Sequence, residues 1–261
     1  MRLVPRRLGV PTVPLRRGKP LKPTGDDVWL FTGCVMDAWQ RGTHRSTARV
    51  LEAMNVTYAV PGAGGGCCGA LHTHAGLHDE AVELARAVIR SMPGEAPILV
   101  NSAGCGAALK DYGHLLGDDE GRRFATRVFD VHEWIVSRLD SLPELGRSET
   151  AVIVQDPCHL RHVQRAHLPV RTLVGRVARL VELDDEGLCC GAGGAYSALQ
   201  PQLAGSIRER KLAAVDRAVA RSGATLLVSA NPGCSMHLAG QLADRGVRVC
   251  HPIDLLAEAL S

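Results

Sequence analysis

The sequence predicts an α/β protein made of two repeated halves, each with a mostly parallel sheet. Short apolar runs typical of strands alternate with stretches of helical period, which is the pattern of parallel strands joined by helices. The same order of elements occurs twice along the 261 residues. Cysteines stand at matching places in the two copies, so the sequence indicates a duplication.

The first predicted half covers residues 28–145. Its first strand begins at Val28 and runs towards a cysteine, and the helix after it is indicated by Ala48, Leu51 and Met54 at helical spacing. The elements predicted in this half are a strand at 28–34, a helix at 43–55, a strand at 58–61, a helix at 78–92, a strand at 97–101 and a further helix that begins at Cys105.

The second predicted half covers residues 146–261 and repeats this order after a linker at 140–150 that is rich in turn-forming residues. Its predicted elements are a strand at 151–158, a helix at 169–178, a strand at 180–183, a helix at 198–220, a strand at 225–229, a helix that begins at Cys234 and a further strand at 247–251. Cys250 in the last strand is expected to be a buried core thiol.

Residues 1–27 form a basic, proline-rich leader. They hold seven basic side chains against two aspartates, and five prolines without an apolar stretch. That composition predicts a disordered tail and not a secretory signal, with weak contact to an anionic membrane surface as the alternative. Aromatic residues make up only 3% of the chain, and the part after the leader is not basic, so nucleic acid is not an expected partner. No apolar run approaches the ~18 residues of a transmembrane helix.

Eight of the nine cysteines follow one pattern. In the first half a single cysteine is followed after 32 residues by Cys-Cys-Gly-Ala, and after 36 more by another single cysteine. The second half repeats the pattern with 30 and 43 intervening residues. The eight positions are Cys34, Cys67, Cys68, Cys105, Cys158, Cys189, Cys190 and Cys234.

In both halves the thiols lie where a predicted strand ends and a helix begins. The carboxyl ends of parallel strands meet at one edge of a sheet, where ligands bind in open α/β folds. Four thiols per half are therefore expected to converge on one site. Because the number of cysteines is odd and a secretory signal is not indicated, metal ligation is favoured over a disulfide framework.

A dinucleotide site is a weak alternative. The segment 64–69 satisfies G-x-G-x-x-G, yet the acidic residue expected at the end of a following strand is missing. Its glycines are better explained as positions where the backbone turns sharply and approaches a bulky inorganic group.

Three chemistries remain open for the clustered thiols. A structural zinc usually takes its four ligands from C-x2–4-C pairs, and neither half has such a pair. An iron–sulfur cluster suits adjacent cysteines better, since each can bind a different iron. A catalytic cysteine needs a C-x-x-C pair or a nearby base. His72, His74 and His159 follow the cysteines and are expected to hydrogen-bond around the thiols rather than act as bases.

These motifs resemble the cysteine-rich, or CCG, domain family, over about residues 28–260. That family includes the B subunit of heterodisulfide reductase, lactate-utilisation iron–sulfur proteins and the iron–sulfur subunit of glycolate oxidase. The local sequences look most like the C-terminal part of the last of these. They are Thr-Gly-Cys-Val at 32–35, Gly-Cys-Cys-Gly-Ala at 66–70, Ser-Ala-Gly-Cys-Gly at 102–106, Asp-Pro-Cys-His-Leu at 156–160 and Leu-Cys-Cys-Gly-Ala-Gly-Gly-Ala-Tyr at 188–196.

The resemblance implies iron–sulfur clusters of the [4Fe–4S] type, up to two per chain, each bound by the four cysteines of one half. It implies an electron-transfer subunit without catalytic residues of its own. An FAD-containing dehydrogenase subunit would oxidise a 2-hydroxy acid, glycolate above others, and this chain would relay the electrons towards quinone. A cytoplasmic location is expected, with peripheral contact at the inner membrane face as the alternative. The alternatives are a heterodisulfide-reductase-B-like subunit acting on a thiol or disulfide, and a zinc-binding scaffold.

Two departures from the family pattern matter. The ferredoxin-like C-x2-C-x2-C-x3-C-P run does not occur in this sequence. Two explanations are open: the chain is truncated or split, with a ferredoxin-like subunit as a further partner, or its electrons come directly from the dehydrogenase partner. The reductase branch ends each motif with C-x-x-C, and Ser102 and Asn231 stand at the extra positions here. A four-cysteine cluster is therefore expected in each half, and a five-cysteine cluster is not.

Overall fold

The computed structural model describes residues 20–260, in which strands and helices alternate. The elements of the first half are β1 (Val28–Phe31), α1 (Cys34–Trp39), α2 (Arg41–Ala53), β2 (Tyr58–Ala59), α3 (Ala70–His74), α4 (His78–Ser91), β3 (Ile98–Val100), α5 (Ala103–Lys110), α6 (Tyr112–Leu116), α7 (Asp119–Thr126), β4 (Val128–Asp130), α8 (Val131–Val136) and a 3-10 turn (Leu139–Ser141). Those of the second half are β5 (Ala151–Gln155), a π-helical turn (His159–Val163), α9 (His167–Val177), β6 (Arg179–Glu182), α10 (Tyr196–Leu199), α11 (Pro201–Ser222), β7 (Leu226–Ser229), α12 (Pro232–Ala243), β8 (Arg248–Cys250) and α13 (Pro252–Glu258).

Two four-stranded parallel sheets form the framework. The first has the strand order β2-β1-β3-β4 and the second the order β6-β5-β7-β8, so the two halves share one topology. All strand pairs are parallel, with Trp29 opposite Ile98 in the first sheet and Ile153 opposite Leu227 in the second. Short parallel strands of this kind are covered on both faces, which explains why β3, β5 and β7 are wholly buried and are apolar except for the last residues of β5 and β7, Gln155 and Ser229. The predicted α/β class with duplicated halves is confirmed.

The elements differ from the sequence prediction in a few places. The predicted helix at 198–220 is two helices, since Pro201 begins α11 and has no N–H to continue the turn before it. The strand β4 and the helices α1, α3, α6, α7, α8 and α13 were not predicted, because all of them are short. The predicted boundary between residues 145 and 146 stays a prediction.

The leader is described only from residue 20 onward, so its predicted disorder falls mainly on residues 1–19, outside the described part. Within that part, Thr24 donates its backbone N–H to the Tyr58 carbonyl at 2.9 Å. Asp27 accepts from the Thr57 backbone N–H at 2.8 Å. The last residues of the leader are therefore hydrogen-bonded to the edge of the first sheet.

Apolar side chains from both halves form one shared core. Leu51 and Ile135 of the first half and Leu173 and Leu256 of the second are fully buried in the same cluster. A second cluster belongs to the first half and a third to the second half. Burial of apolar surface is the main favourable contribution to folding, so the shared cluster ties the stability of each half to the other.

The helix α13 joins the end of the second half to the first half. It packs against α2 and α9. His251, just before it, caps the helix by accepting the N–H of Ile253 on Nδ1, and Nε2 lies 2.8 Å from the Asn101 carbonyl oxygen. Burial holds the pKa of His251 well below its usual value, so the ring is neutral and donates its Nε2 proton to Asn101.

We expect Leu256→Ala to lower the free energy of unfolding by about 2–5 kcal/mol, because it leaves a cavity in the shared core. Leu256 belongs to the second half, whereas all three tryptophans lie in the first. The urea midpoint measured by tryptophan fluorescence should nevertheless fall in Leu256→Ala, because the shared core couples the two halves.

The matched control is Leu199→Ala, at a leucine that is 74% exposed, and its effect should stay within about 0.5 kcal/mol. If the urea midpoint measured by tryptophan fluorescence were unchanged in Leu256→Ala, the two halves would unfold independently.

Candidate metal centre

The four cysteines of the first half lie beyond the carboxyl ends of β1, β2 and β3. Cys34 is the first residue of α1, Cys67 and Cys68 precede α3, and Cys105 lies in the first turn of α5. The thiols of Cys34 and Cys67 hydrogen-bond to each other, as do those of Cys68 and Cys105. Cys68 is only 5% exposed, whereas Cys34 lies at the surface.

The second half repeats this arrangement with a tighter set of contacts. Cys158 directly precedes the π-helical turn, Cys189 and Cys190 lie between β6 and α10, and Cys234 lies in the first turn of α12. The Sγ atoms of Cys190 and Cys234 are 3.0 Å apart, and Cys189 hydrogen-bonds to both Cys158 and Cys190. Cys190 and Cys234 are buried.

The structure thus brings the four thiols of each half together in hydrogen-bonded pairs. Among residues 20–260, no group of three or more histidine, cysteine, aspartate or glutamate side chains is arranged to hold a single metal ion. The role of the eight thiols as ligands stays a prediction.

In each hydrogen-bonded pair of thiols, the pKa of the donor thiol is raised and the pKa of the acceptor thiol is lowered. The hydrogen bond from Cys34 lowers the pKa of Cys67 to about 6, and the same contact raises the pKa of Cys34. In the second half, the hydrogen bond from Cys158 holds the pKa of Cys189 far below its usual value. The thiolate is the form of cysteine that binds metal, so the lowered pKa of Cys67 and of Cys189 favours metal ligation in each half.

Glycine is required directly after each Cys-Cys pair. Gly69 has φ +77° and Gly191 has φ +88°, which is the left-handed region where side chains are strained. A Cβ at residue 191 would also lie 2.5 Å from the Ala204 carbonyl oxygen. The predicted reason for these glycines, a sharp turn of the backbone, agrees with this geometry.

The two thiol sites are joined by hydrogen bonds between the ends of β3 and β7. The Ala103 N–H donates to the Ala230 carbonyl at 3.0 Å. Ser102 Oγ donates to Asn231 Oδ1 at 3.3 Å. Ser102 and Asn231, the positions of the missing fifth cysteines, therefore contact each other across the two halves.

The histidines near the cysteines have different surroundings. His159 Nδ1 lies 3.7 Å from Cys158 Sγ, within hydrogen-bonding range of a thiol. The ring of His159 stacks on that of His74 from the other half, with centroids 5.9 Å apart. His72 Nδ1 is buried and finds no hydrogen-bond partner among residues 20–260.

Sequence reasoning missed several polar contacts. Tyr112 is fully buried and donates its hydroxyl to the Cys68 carbonyl at 3.0 Å. Asp156 forms ion pairs with Arg161 and Arg171, each at 2.9 Å. Burial alone would raise the pKa of Asp156, but the two arginines lower it. No local pattern predicts these partners, because every one of them depends on tertiary packing.

Cys250 lies apart from both thiol sites. It is half-buried in β8 and packs against the shared core, and burial raises its pKa to about 12. The expected core thiol is therefore only partly enclosed.

No helix among residues 20–260 has the length and apolar character needed to cross a membrane.

The fold and the two thiol sets define a duplicated α/β protein with a cysteine-rich site at the strand ends of each half. The chain belongs to the cysteine-rich domain (CCG) family, which matches residues 28–110 and 152–239. The two matched segments contain all eight cysteines of the repeated pattern.

Several curated proteins are similar over most of this chain. A probable glycolate oxidase iron–sulfur subunit of Bacillus subtilis is 32% identical over 91% of this chain and 55% of its own length. The glycolate oxidase iron–sulfur subunit of Escherichia coli is 30% identical over 89% of this chain and 58% of its own. Lactate utilization protein A of Bacillus subtilis is 25% identical over 88% of this chain and 98% of its own. The chain thus spans little more than half the length of the two glycolate oxidase subunits.

In metal-free, reduced protein at neutral pH, iodoacetamide should alkylate Cys67 before Cys34, although Cys34 is the more exposed thiol. A thiol with a pKa of about 6 is mostly thiolate at neutral pH, and its labelling rate should fall as the pH decreases through that value. Peptide mass spectrometry after timed quenching measures the rates.

Cys34→Ala removes the thiol that donates to Cys67, so the pH profile of Cys67 labelling should move to higher pH. Cys250→Ser is the control and should leave that profile unchanged. A Cys67 profile that is the same in Cys34→Ala and the wild type would contradict the assigned hydrogen bond.

Proposed function

We propose that this chain is an iron–sulfur electron-transfer component of an oxidoreductase complex, with one cluster in each half. The observation that carries the proposal is the pair of four-thiol sites at the strand ends, in a chain whose relatives are named as iron–sulfur subunits. The proposed ligands are Cys34, Cys67, Cys68 and Cys105 in the first half, and Cys158, Cys189, Cys190 and Cys234 in the second.

The donor set fits such a group. Iron–sulfur clusters are held by cysteine thiolates, four for the [4Fe–4S] type. Each half supplies four neighbouring thiols, some with lowered pKa, and a glycine that turns the backbone at the Cys-Cys pair. A bound cluster takes up and releases single electrons, a chemistry that the side chains of this chain do not supply themselves.

The chain's own contribution is to bury the thiols and to donate hydrogen bonds to their sulfur atoms. The Gly191 N–H donates to Cys189 Sγ at 3.4 Å, and Asn231 Nδ2 donates to Cys234 Sγ at 3.5 Å. Hydrogen bonds to sulfur and the exclusion of water tune the reduction potential of a thiolate-bound metal. The surface position of Cys34 supports an electron entry or exit point in the first half.

We propose as partner a flavin-containing dehydrogenase subunit that oxidises a 2-hydroxy acid, with glycolate as the first substrate to test. The names of the two glycolate oxidase relatives support this choice. A ferredoxin-like subunit and the membrane quinone pool are the proposed neighbours in the electron path. Peripheral contact with the inner membrane face belongs to the same proposal.

The hydrogen bonds of Ser102 and Asn231 support four-cysteine sites. Both side chains are engaged with each other and with backbone or thiol groups around the sites. A cysteine ligand at residue 102 or 231 would remove the hydrogen bond between Ser102 and Asn231. The contacts therefore favour electron transfer over cleavage of a disulfide at the cluster.

Protein purified without oxygen should contain about eight irons and eight sulfides per chain if both halves hold a [4Fe–4S] cluster. Cys68→Ser should remove about four irons and one of two electron paramagnetic resonance signals, and Cys190→Ser should remove the other signal.

Cys250→Ser is the control and should keep both signals, because Cys250 lies outside both thiol sites. Zinc without iron in the purified protein would refute electron transfer and support a zinc scaffold. Retention of both signals in Cys68→Ser would show that the ligand assignment is wrong.

A further inference from the structure

The Asn231 side chain hydrogen-bonds to a thiol of its own half and to residues beside Cys105 in the other half. Its Nδ2 donates to Cys234 Sγ of its own half at 3.5 Å. Its Oδ1 accepts from the Gly104 N–H of the other half at 3.1 Å. The two ends of a single amide group therefore lie on opposite halves of the duplicated fold.

On the first half, Asn231 takes part in capping the helix that carries Cys105. The first backbone N–H groups of a helix lack partners within the helix and are usually satisfied by a side chain from the preceding residue. Ser102 does this for α5 by accepting from the Cys105 N–H at 3.5 Å. Asn231 supplies the second acceptor, for Gly104, although it lies 127 residues away in sequence.

On its own half, Asn231 does not cap the helix that it precedes. It stands at the N-cap position of α12 with extended backbone, and its side chain makes no capping hydrogen bond there. The side chain turns instead towards the first half and towards Cys234 Sγ. The N-cap side chain that would normally stabilise α12 therefore hydrogen-bonds to Gly104 of the first half and to Cys234.

The hydrogen bonds form a directed chain between the two sites. The Cys105 N–H donates to Ser102 Oγ, and Ser102 Oγ donates to Asn231 Oδ1. Asn231 Nδ2 then donates to Cys234 Sγ. Every link donates in the same direction, and consecutive hydrogen bonds of this kind polarise one another.

We propose that Asn231 is a positioning residue shared by the two centres: it raises the reduction potential of the second-half centre by donating to Cys234 Sγ, and Ser102 of the first half orients it for that contact. The inference rests on the proposed function, since it needs a redox-active group at the second site. It assigns a role to a side chain that is not a ligand.

The direction of the effect follows from charge. Reduction adds negative charge to the centre and its sulfur ligands, so an N–H donor stabilises the reduced form more than the oxidised one. Replacing Asn231 by leucine, which has nearly the same shape, removes the donor. The second-half centre should then become harder to reduce.

The test uses full-length protein in the Cys68→Ser background, in which the second-half centre is the expected source of the remaining signal. Redox titration followed by electron paramagnetic resonance gives the ratio of reduced to oxidised centres at a fixed potential. In Asn231→Leu this ratio should fall by about threefold, the size expected for one lost hydrogen bond of modest strength. Ser102→Ala should lower the ratio less, and Ser102→Thr, which keeps the hydroxyl, should restore it.

Ser235→Ala is the matched control. Ser235 is next to Cys234, but its hydroxyl donates to the Asn231 carbonyl and not to sulfur, so the ratio should be unchanged. Should Asn231→Leu fail to bind iron, Ser102→Ala and Ser102→Thr decide the question by themselves. Wild-type potential in Ser102→Ala, with iron bound, overturns this inference alone, whereas iron-free wild-type protein overturns the proposed function.

Discussion

The parallel direction of all strands is the constraint on which the two thiol sites depend. When strands run the same way, every segment that follows a strand emerges at the same edge of the sheet. Cys34, the Cys67–Cys68 pair and Cys105 follow three strands of one sheet, and the second sheet repeats the arrangement. Residues far apart in sequence are thereby placed in contact without a local motif such as C-x-x-C. The long and similar intervals between the cysteines are the lengths of the intervening helix and strand.

This constraint explains why much of the architecture can be predicted from the sequence. The strands at 28–31 and 151–155 are short apolar runs that end near a cysteine, and their type depends on local composition. The order of parts repeats, so an ambiguous element in one half is supported by its counterpart in the other. The glycine after each Cys-Cys pair is also predictable, because a backbone with positive φ strongly favours that residue.

The contacts between the halves cannot be predicted in the same way. Ser102 and Asn231 are recognisable as departures from a cysteine pattern, yet no local signal indicates that they meet across 129 residues. The partners of Asp156 depend on the packing of α9 and of the π-helical turn beside β5. Short elements such as β4 are missed because three residues carry too little periodicity to identify them. Such features follow from tertiary packing, which overrides weak local preference.

The packing of α13 onto α2 has a consequence for how a duplicated fold can evolve. A tandem repeat begins as two equivalent copies, each of which could in principle be exchanged or inherited alone. Here the chain after β8 returns to the first copy, where His251 binds the Asn101 carbonyl and Leu256 fills the shared core. Recombination that replaced the first copy would leave the apolar face of α13 uncovered, and replacement of the second copy would leave the Asn101 carbonyl without its donor, His251. The two sheets share one topology, whereas the contacts of α13 couple the second half to the first.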